Sequence, residues 1–173
     1  MKTERMPTQL EFHGFGKREV EGRFDAGQIS TDGGGLLVRE VNRRPGLLKR
    51  LAGQFTDLRD ESRIEHSVAE LVSQRVMALT LGYEDLNGHD QLCRDSVLAL
   101  MVGKSDPKGQ DRERKQDRGK PLASSSTLNL LEFSEPGATS TERHKKIVAD
   151  TDGMDRLLVE LFVESYKKPP KRI

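Results

Sequence analysis

Apolar residues recur at three- and four-residue spacing between positions 63 and 81. Ile64, Val68, Leu71, Val72, Val76 and Leu79 share one face of a helix, while Arg63, Glu65, Glu70 and Arg75 mostly take the other sides. Gly82 is well placed to stop it. Leu36, Leu37, Val38 and Val41, followed by Leu47, Leu48 and Leu51, predict helices near 35–43 and 46–53. A break falls between them because the residue before Pro45 is disfavoured from helical angles. Leu92, Val97, Leu98, Leu100 and Met101 resume an apolar pattern over 91–102, closed by Gly103. Ser124, Ser125, Ser126 and Thr127 precede Leu128, Leu130 and Leu131, where a serine can cap a short helix. Ile147, Met154, Leu157, Leu158, Leu161, Phe162 and Tyr166 predict a long helix over 142–166, ended by Pro169 and Pro170. Residues 20–24 read as a short strand, and Gly22 makes it an edge or irregular one.

These elements predict a mainly α fold, with a short N-terminal segment that has room for a strand or two. The chain divides into a polar N-terminal segment (1–28), a helical region (29–103), a charged loop or disordered insert (104–120) and a second helical region (121–173). The insert holds seven lysines or arginines against four acids, and apart from Pro107 and two glycines it is wholly polar. Composition limits the core: 34% of the 173 residues are hydrophobic and 33% charged. The apolar runs are too short to span a bilayer and no apolar run follows Lys2 and Arg5, so a cytoplasmic chain without membrane contact is expected. The single cysteine, Cys93, excludes an internal disulfide and a cysteine-based metal cluster.

A net charge of +1 gives no global case for nucleic acid, so local runs decide. Two stand out. Arg112, Arg114 and Lys115 lie in the charged insert, and Lys167, Lys168, Lys171 and Arg172 cluster near the C-terminus without an acid among them. These are the candidate DNA-contacting residues, suited to phosphate and to salt-dependent affinity. His66, Glu84, Asp85, His89 and Asp90 are the polar candidates for chemistry. A divalent cation needs several of them to converge, and otherwise they serve to cap helices and join loops. Asp32 precedes three glycines and a helix start, where a carboxylate accepts backbone N–H groups and a phosphate would be a competing ligand. No motif of a zinc protease, serine hydrolase or phosphate-cradling loop is present.

The wording of the sequence adds more than its averages. Ile29-Ser30-Thr31-Asp32-Gly33-Gly34-Gly35-Leu36-Leu37 with Arg39-Glu40 resembles the opening motif of bacterial insertion-sequence transposases with a group 1 DDE domain. His66-Ser67, Glu70-Leu71 and Gln74-Arg75-Val76 resemble the next block. Leu81-Gly82-Tyr83-Glu84-Asp85-Leu86-Asn87 with His89-Asp90 is the most distinctive. Leu122-Ala123-Ser124, Ser126-Thr127-Leu128-Asn129 and Leu131-Glu132 follow in order, and Ser165-Tyr166-Lys167-Lys168-Pro169-Pro170 closes the series.

The resemblance implies a DNA strand-transfer enzyme whose RNase H-like core holds Mg2+ on three acidic residues. It also implies that the first acid follows the lysine–proline motif. The chain stops at Ile173, so the RNase H-like core is expected to be absent and no residue is assigned to catalysis, cofactor or metal. The expected function is that of a truncated transposase, its N-terminal part. Such a part contributes to transposition by binding element-end DNA or by supporting subunits and the catalytic domain, with self-association left open. Two alternatives stand beside it. One is a nonfunctional, partly folded remnant with Leu157, Leu161 and Phe162 exposed. The other is an independent metal-dependent nuclease using Asp32, Asp85 and Asp90.

Overall fold

The computed structural model describes residues 9–23, 32–43, 45–132 and 146–166. The fold is mainly α. Among the described residues, strands form only two small antiparallel sheets of two strands each.

Strands β1 (Gln9–Phe15) and β2 (Arg18–Arg23) form a hairpin with Phe12 opposite Val20. Its turn needs a left-handed residue, which Gly16 supplies at φ 59°. The expected strand at 20–24 is therefore the second arm of a hairpin, and Phe24 lies outside the described residues. Val20 anchors this arm by packing into the core with Leu36, Leu48 and Met77.

Helices α1 (Gly35–Arg43) and α2 (Leu47–Ala52) stand where the apolar spacing places them. The break between them is held by Asn42, whose carbonyl accepts the Gly46 N–H at 3.0 Å and whose side-chain oxygen accepts that of Leu48 at 2.9 Å. Gly35 lets α1 approach the segment around Met101 closely, since a Cβ there would push against the end of the Met101 side chain.

Helix α3 (Val68–Thr80) is the central element. Met77 and Ala78 face one apolar cluster, with Leu36, Leu98 and Met101. Val68, Leu71 and Val72 face a second, with Ala52, Leu128 and Ile147. The helix starts later than its apolar spacing predicts. Glu61–Arg63 form a 3-10 turn and Ile64 is extended. Ser67 then begins α3 with a reciprocal cap: its hydroxyl accepts the Glu70 N–H at 3.3 Å, and Glu70 accepts the Ser67 N–H at 3.0 Å. Satisfying two orphan N–H groups at Ser67 outweighs extending the helix to Arg63.

The pattern over 91–102 resolves into two helices, α4 (His89–Leu92) and α5 (Ser96–Val102). Asp95 separates them by accepting the Leu98 N–H at 2.8 Å as the cap of α5. Helix α6 (Ser125–Glu132) follows and buries Leu128 fully.

The expected helix over 142–166 is corrected most. Residues 142–145 lie outside the described residues, and Ile147–Ala149 form strand β4 rather than a helical turn. It pairs antiparallel with β3 (Phe55–Asp57), an element with no local signature. Asp150 then caps α7 (Thr151–Glu164) by accepting the Gly153 N–H at 2.9 Å. Leu157 is buried at 4% exposure and Leu161 is half-buried, unlike the exposure that the partly folded remnant alternative expects of them. The open apolar face of α7 is instead Leu158, Val159, Phe162 and Tyr166. No described helix is long and apolar enough to cross a membrane.

Replacing Ser67 with alanine removes one arm of the α3 cap and is expected to lower unfolding stability by about 1 kcal/mol. Urea denaturation followed by circular dichroism checks this.

Candidate functional site

Two polar assemblies flank α3, and each includes residues of the sequence blocks, His66 and Glu70 in the first and Gln74, Arg75, His89, Asp90 and Ala123 in the second. The first lies at the helix start. Reaching the cap at Ser67 leaves His66 before the helix, not on it, with 5% of its surface exposed. The Lys104 ammonium, which can only donate, points at His66 Nδ1 from 3.2 Å and pairs with Glu70 Oε1 at 2.6 Å. Arg59 donates to the His66 carbonyl at 2.9 Å and is itself held by Asp57 at 2.7 Å. Burial, reinforced by the Lys104 and Arg112 charges, lowers the His66 pKa from 6.5 to about 4 despite Glu70. At neutral pH His66 is therefore an uncharged acceptor for Lys104.

The second assembly lies under the middle of α3. Gln74 is 1% exposed and His89 is fully buried. Gln74 donates to the Ala123 carbonyl at 2.8 Å and accepts the Ala123 N–H at 2.9 Å. Its remaining N–H reaches His89 Nδ1 at 3.0 Å. Next along the helix, Arg75 pairs with Glu132 at 2.6 Å and donates to the carbonyls of Tyr83 and Glu84 at 3.3 and 2.8 Å. Asp90 accepts both the N–H and the hydroxyl of Ser125, at 3.1 and 2.8 Å, and so caps α6 from a neighbouring helix. Those two bonds hold the Asp90 carboxyl below its usual range. Gln74, Arg75, His89, Asp90 and Ala123 thus form one seam joining α3, α4 and α6.

The carboxylates considered for metal chemistry stay apart in function. Asp32 accepts the Tyr83 hydroxyl at 3.1 Å, Asp85 accepts the Asn87 N–H at 2.8 Å, and Asp90 is engaged by Ser125. Among the described residues no group of three or more His, Cys, Asp or Glu could hold a metal ion, and these carboxylates do not fit a Mg2+ site. Cys93 is buried, and burial pushes its thiol pKa up, which disfavours the reactive thiolate.

The charged segment 104–120 is rooted at the edge of the first assembly. Lys104 is bound to Glu70, and Arg112 pairs with Glu65 at 2.8 Å. Asp106 turns the chain by accepting the N–H groups of Lys108 and Asp111 at 3.1 and 2.8 Å. The Gly119 N–H donates to the Gly109 carbonyl at 2.9 Å, and Arg18 of the hairpin reaches the Ser105 carbonyl. Of the candidate DNA-contacting residues, Arg112 is thus partly covered and neutralised. Arg114 is 68% exposed and shares Glu65 at 3.7 Å. Lys115 is exposed and has no acidic partner among the described residues. Lys108 and Arg118, which sequence reasoning did not single out, are exposed likewise and lack an acidic partner among the described residues. Only the count of basic residues in the segment hinted at them. Lys167, Lys168, Lys171 and Arg172 lie outside the described residues.

Gln74→Leu leaves both polar groups of Ala123 buried without that partner, and is expected to cost about 3 kcal/mol or more in chemical denaturation. His66 binds a proton in the unfolded chain below pH 6.5 but in the folded chain only near pH 4. Its contribution is therefore complete above pH 6.5 and is lost as pH falls toward 4, about 3 kcal/mol in all. A flatter stability–pH profile in His66→Gln checks this.

The family model described as Transposase DDE domain group 1 matches residues 12–173. No curated protein and no solved structure matches the chain.

Proposed function

The chain belongs to the group 1 family of transposase DDE domains, and on that premise we propose that it is the part that grips element-end DNA and braces the rest of the enzyme. The loop at 104–120 is the proposed grip. The supporting observation is how its charges are distributed. Lys104 and Arg112 are consumed by Glu70 and Glu65 as roots of the loop. Lys108, Lys115 and Arg118 are left without an acidic partner among the described residues, beside the well-exposed Arg114. Such cations suit phosphate oxygens, which fix position along a duplex without reading sequence. The basic run Lys167, Lys168, Lys171 and Arg172 is a second phosphate-binding element in this reading. A cytoplasmic setting goes with it.

Bracing is supported by α7. Its inner side packs Leu157 inward, and Arg50 ties Glu160 and Glu164 at 3.0 and 2.7 Å. Its outer side presents Leu158, Val159, Phe162 and Tyr166, the last two in edge-to-face contact at 5.1 Å. A helix apolar on two sides is suited to lie between two bodies of protein. The nuclease alternative lacks comparable support, because Asp32, Asp85 and Asp90 each serve a separate hydrogen bond.

Binding of a fluorescent terminal-repeat duplex, titrated at several salt concentrations, tests the grip. Arg114→Ala, Lys115→Ala and Arg118→Ala are each expected to weaken binding and to reduce the log–log salt slope by about 0.9 for every phosphate no longer neutralised. An unchanged affinity and slope in the folded triple variant contradict it.

A further inference from the structure

We propose that His89 is an acid-sensitive latch: neutral, with its proton on Nε2, it lets Gln74 on α3 keep both bonds to Ala123 at the entry to α6, and protonation at Nδ1 turns the Gln74 amide, breaks those bonds and so releases α6. The geometry of Gln74 makes the case. Both of its bonds to Ala123 are satisfied in one orientation of the amide only, since rotating it by a half-turn sets oxygen against oxygen and N–H against N–H. The second Nε2 hydrogen then points at His89 Nδ1, 3.0 Å away. Nδ1 must accept, so the ring is neutral and the proton resides on Nε2. That buried Nε2 has no hydrogen-bond partner among the described residues. The ring is therefore held by its acceptor side.

A proton added at Nδ1 places a donor against a donor in a site with no solvent exposure. The surrounding charges do little to help. Arg75 on α3 opposes a second positive charge, Glu132 on α6 and Asp90 on α4 favour it, and Arg75 and Glu132 are already paired with each other at 2.6 Å. The Leu86–Gly88 turn and the segment 122–124 bring no charged side chain. Burial is the leading cause, and it holds the folded imidazole below its ordinary value of 6.5. The latch's contribution is complete above pH 6.5 and declines as pH falls from there toward the folded pKa, because the open state takes up the proton first. Asp90 continues to cap α6 until its own carboxylate, held below 3.8, is protonated.

The test uses the full chain, labelled with 15N. A long-range 1H–15N spectrum at about pH 7.5 is expected to show His89 as the Nε2–H tautomer. From about pH 6.5 downward, amide protection at Leu128 and Leu131 in α6 is expected to fall by up to about tenfold per pH unit, ahead of Leu71 and Val72 in α3. His89→Gln keeps an acceptor for Gln74 and does not titrate, so its α6 protection is expected to lose this early fall. Should that variant fail to fold, the tautomer and exchange of the unmodified chain still decide. An Nδ1–H or charged ring at neutral pH overturns the proposal, as does α6 protection that falls only together with that of α3.

Discussion

A buried primary amide must find partners or destabilise the core that holds it. Gln74 finds its partners in the backbone of Ala123, 49 residues away, and this requirement sets the distance between α3 and α6. Everything on that side of the molecule follows from it. Leu128 can lie fully buried against Leu71 and Val72 only while α6 is held there. The leftover N–H of the same amide fixes the His89 ring, and His89 fixes the start of α4. Asp90, the next residue, is then in place to cap α6 through Ser125. One amide thus joins a dry core to a polar seam.

The other end of α3 is governed by charge. His66 is kept neutral by burial and by the cations around it, which lets Lys104 lie against it and reach Glu70. That pairing roots the 104–120 loop, and Arg112 with Glu65 roots it again. Exposed pairs of this kind contribute little individually, but side-chain exposures of 13% for Lys104 and 17% for Arg112 leave them less screened. The sequence blocks shared with transposases thus act here as joints: Asp32 with Tyr83, Gln74 with Ala123, Asp90 with Ser125. These joints are architectural, and the loop cations proposed to meet DNA sit between blocks, whereas Lys167 and Lys168 belong to the closing one.

The helices were legible where apolar spacing is local, as in α1, α2 and the body of α3. What spacing could not show was where polar caps interrupt it. Ser67 and Glu70 carry a capping signature that moves the start of α3 past His66, and Asp95 divides what reads as one helix into two. Ile147 fits a helical stripe with Met154, yet its strand pairs with Asp57, ninety positions earlier, a partner no local pattern reveals. The polar seam was hidden for the same reason. No local pattern shows that Gln74 is buried, because its partner Ala123 is 49 residues away. The candidate metal residues His89 and Asp90 have an amide and a serine as their partners, which adjacency in sequence does not reveal.

A double-mutant cycle between Gln74→Leu and His89→Leu, read as unfolding free energies, tests most directly whether this seam is one unit. Residues sharing a buried hydrogen bond are expected to be coupled by about 1 kcal/mol or more, with the pair of substitutions costing less than the sum of the single ones. Additive costs would mean that Gln74 and His89 act separately, and would contradict the account.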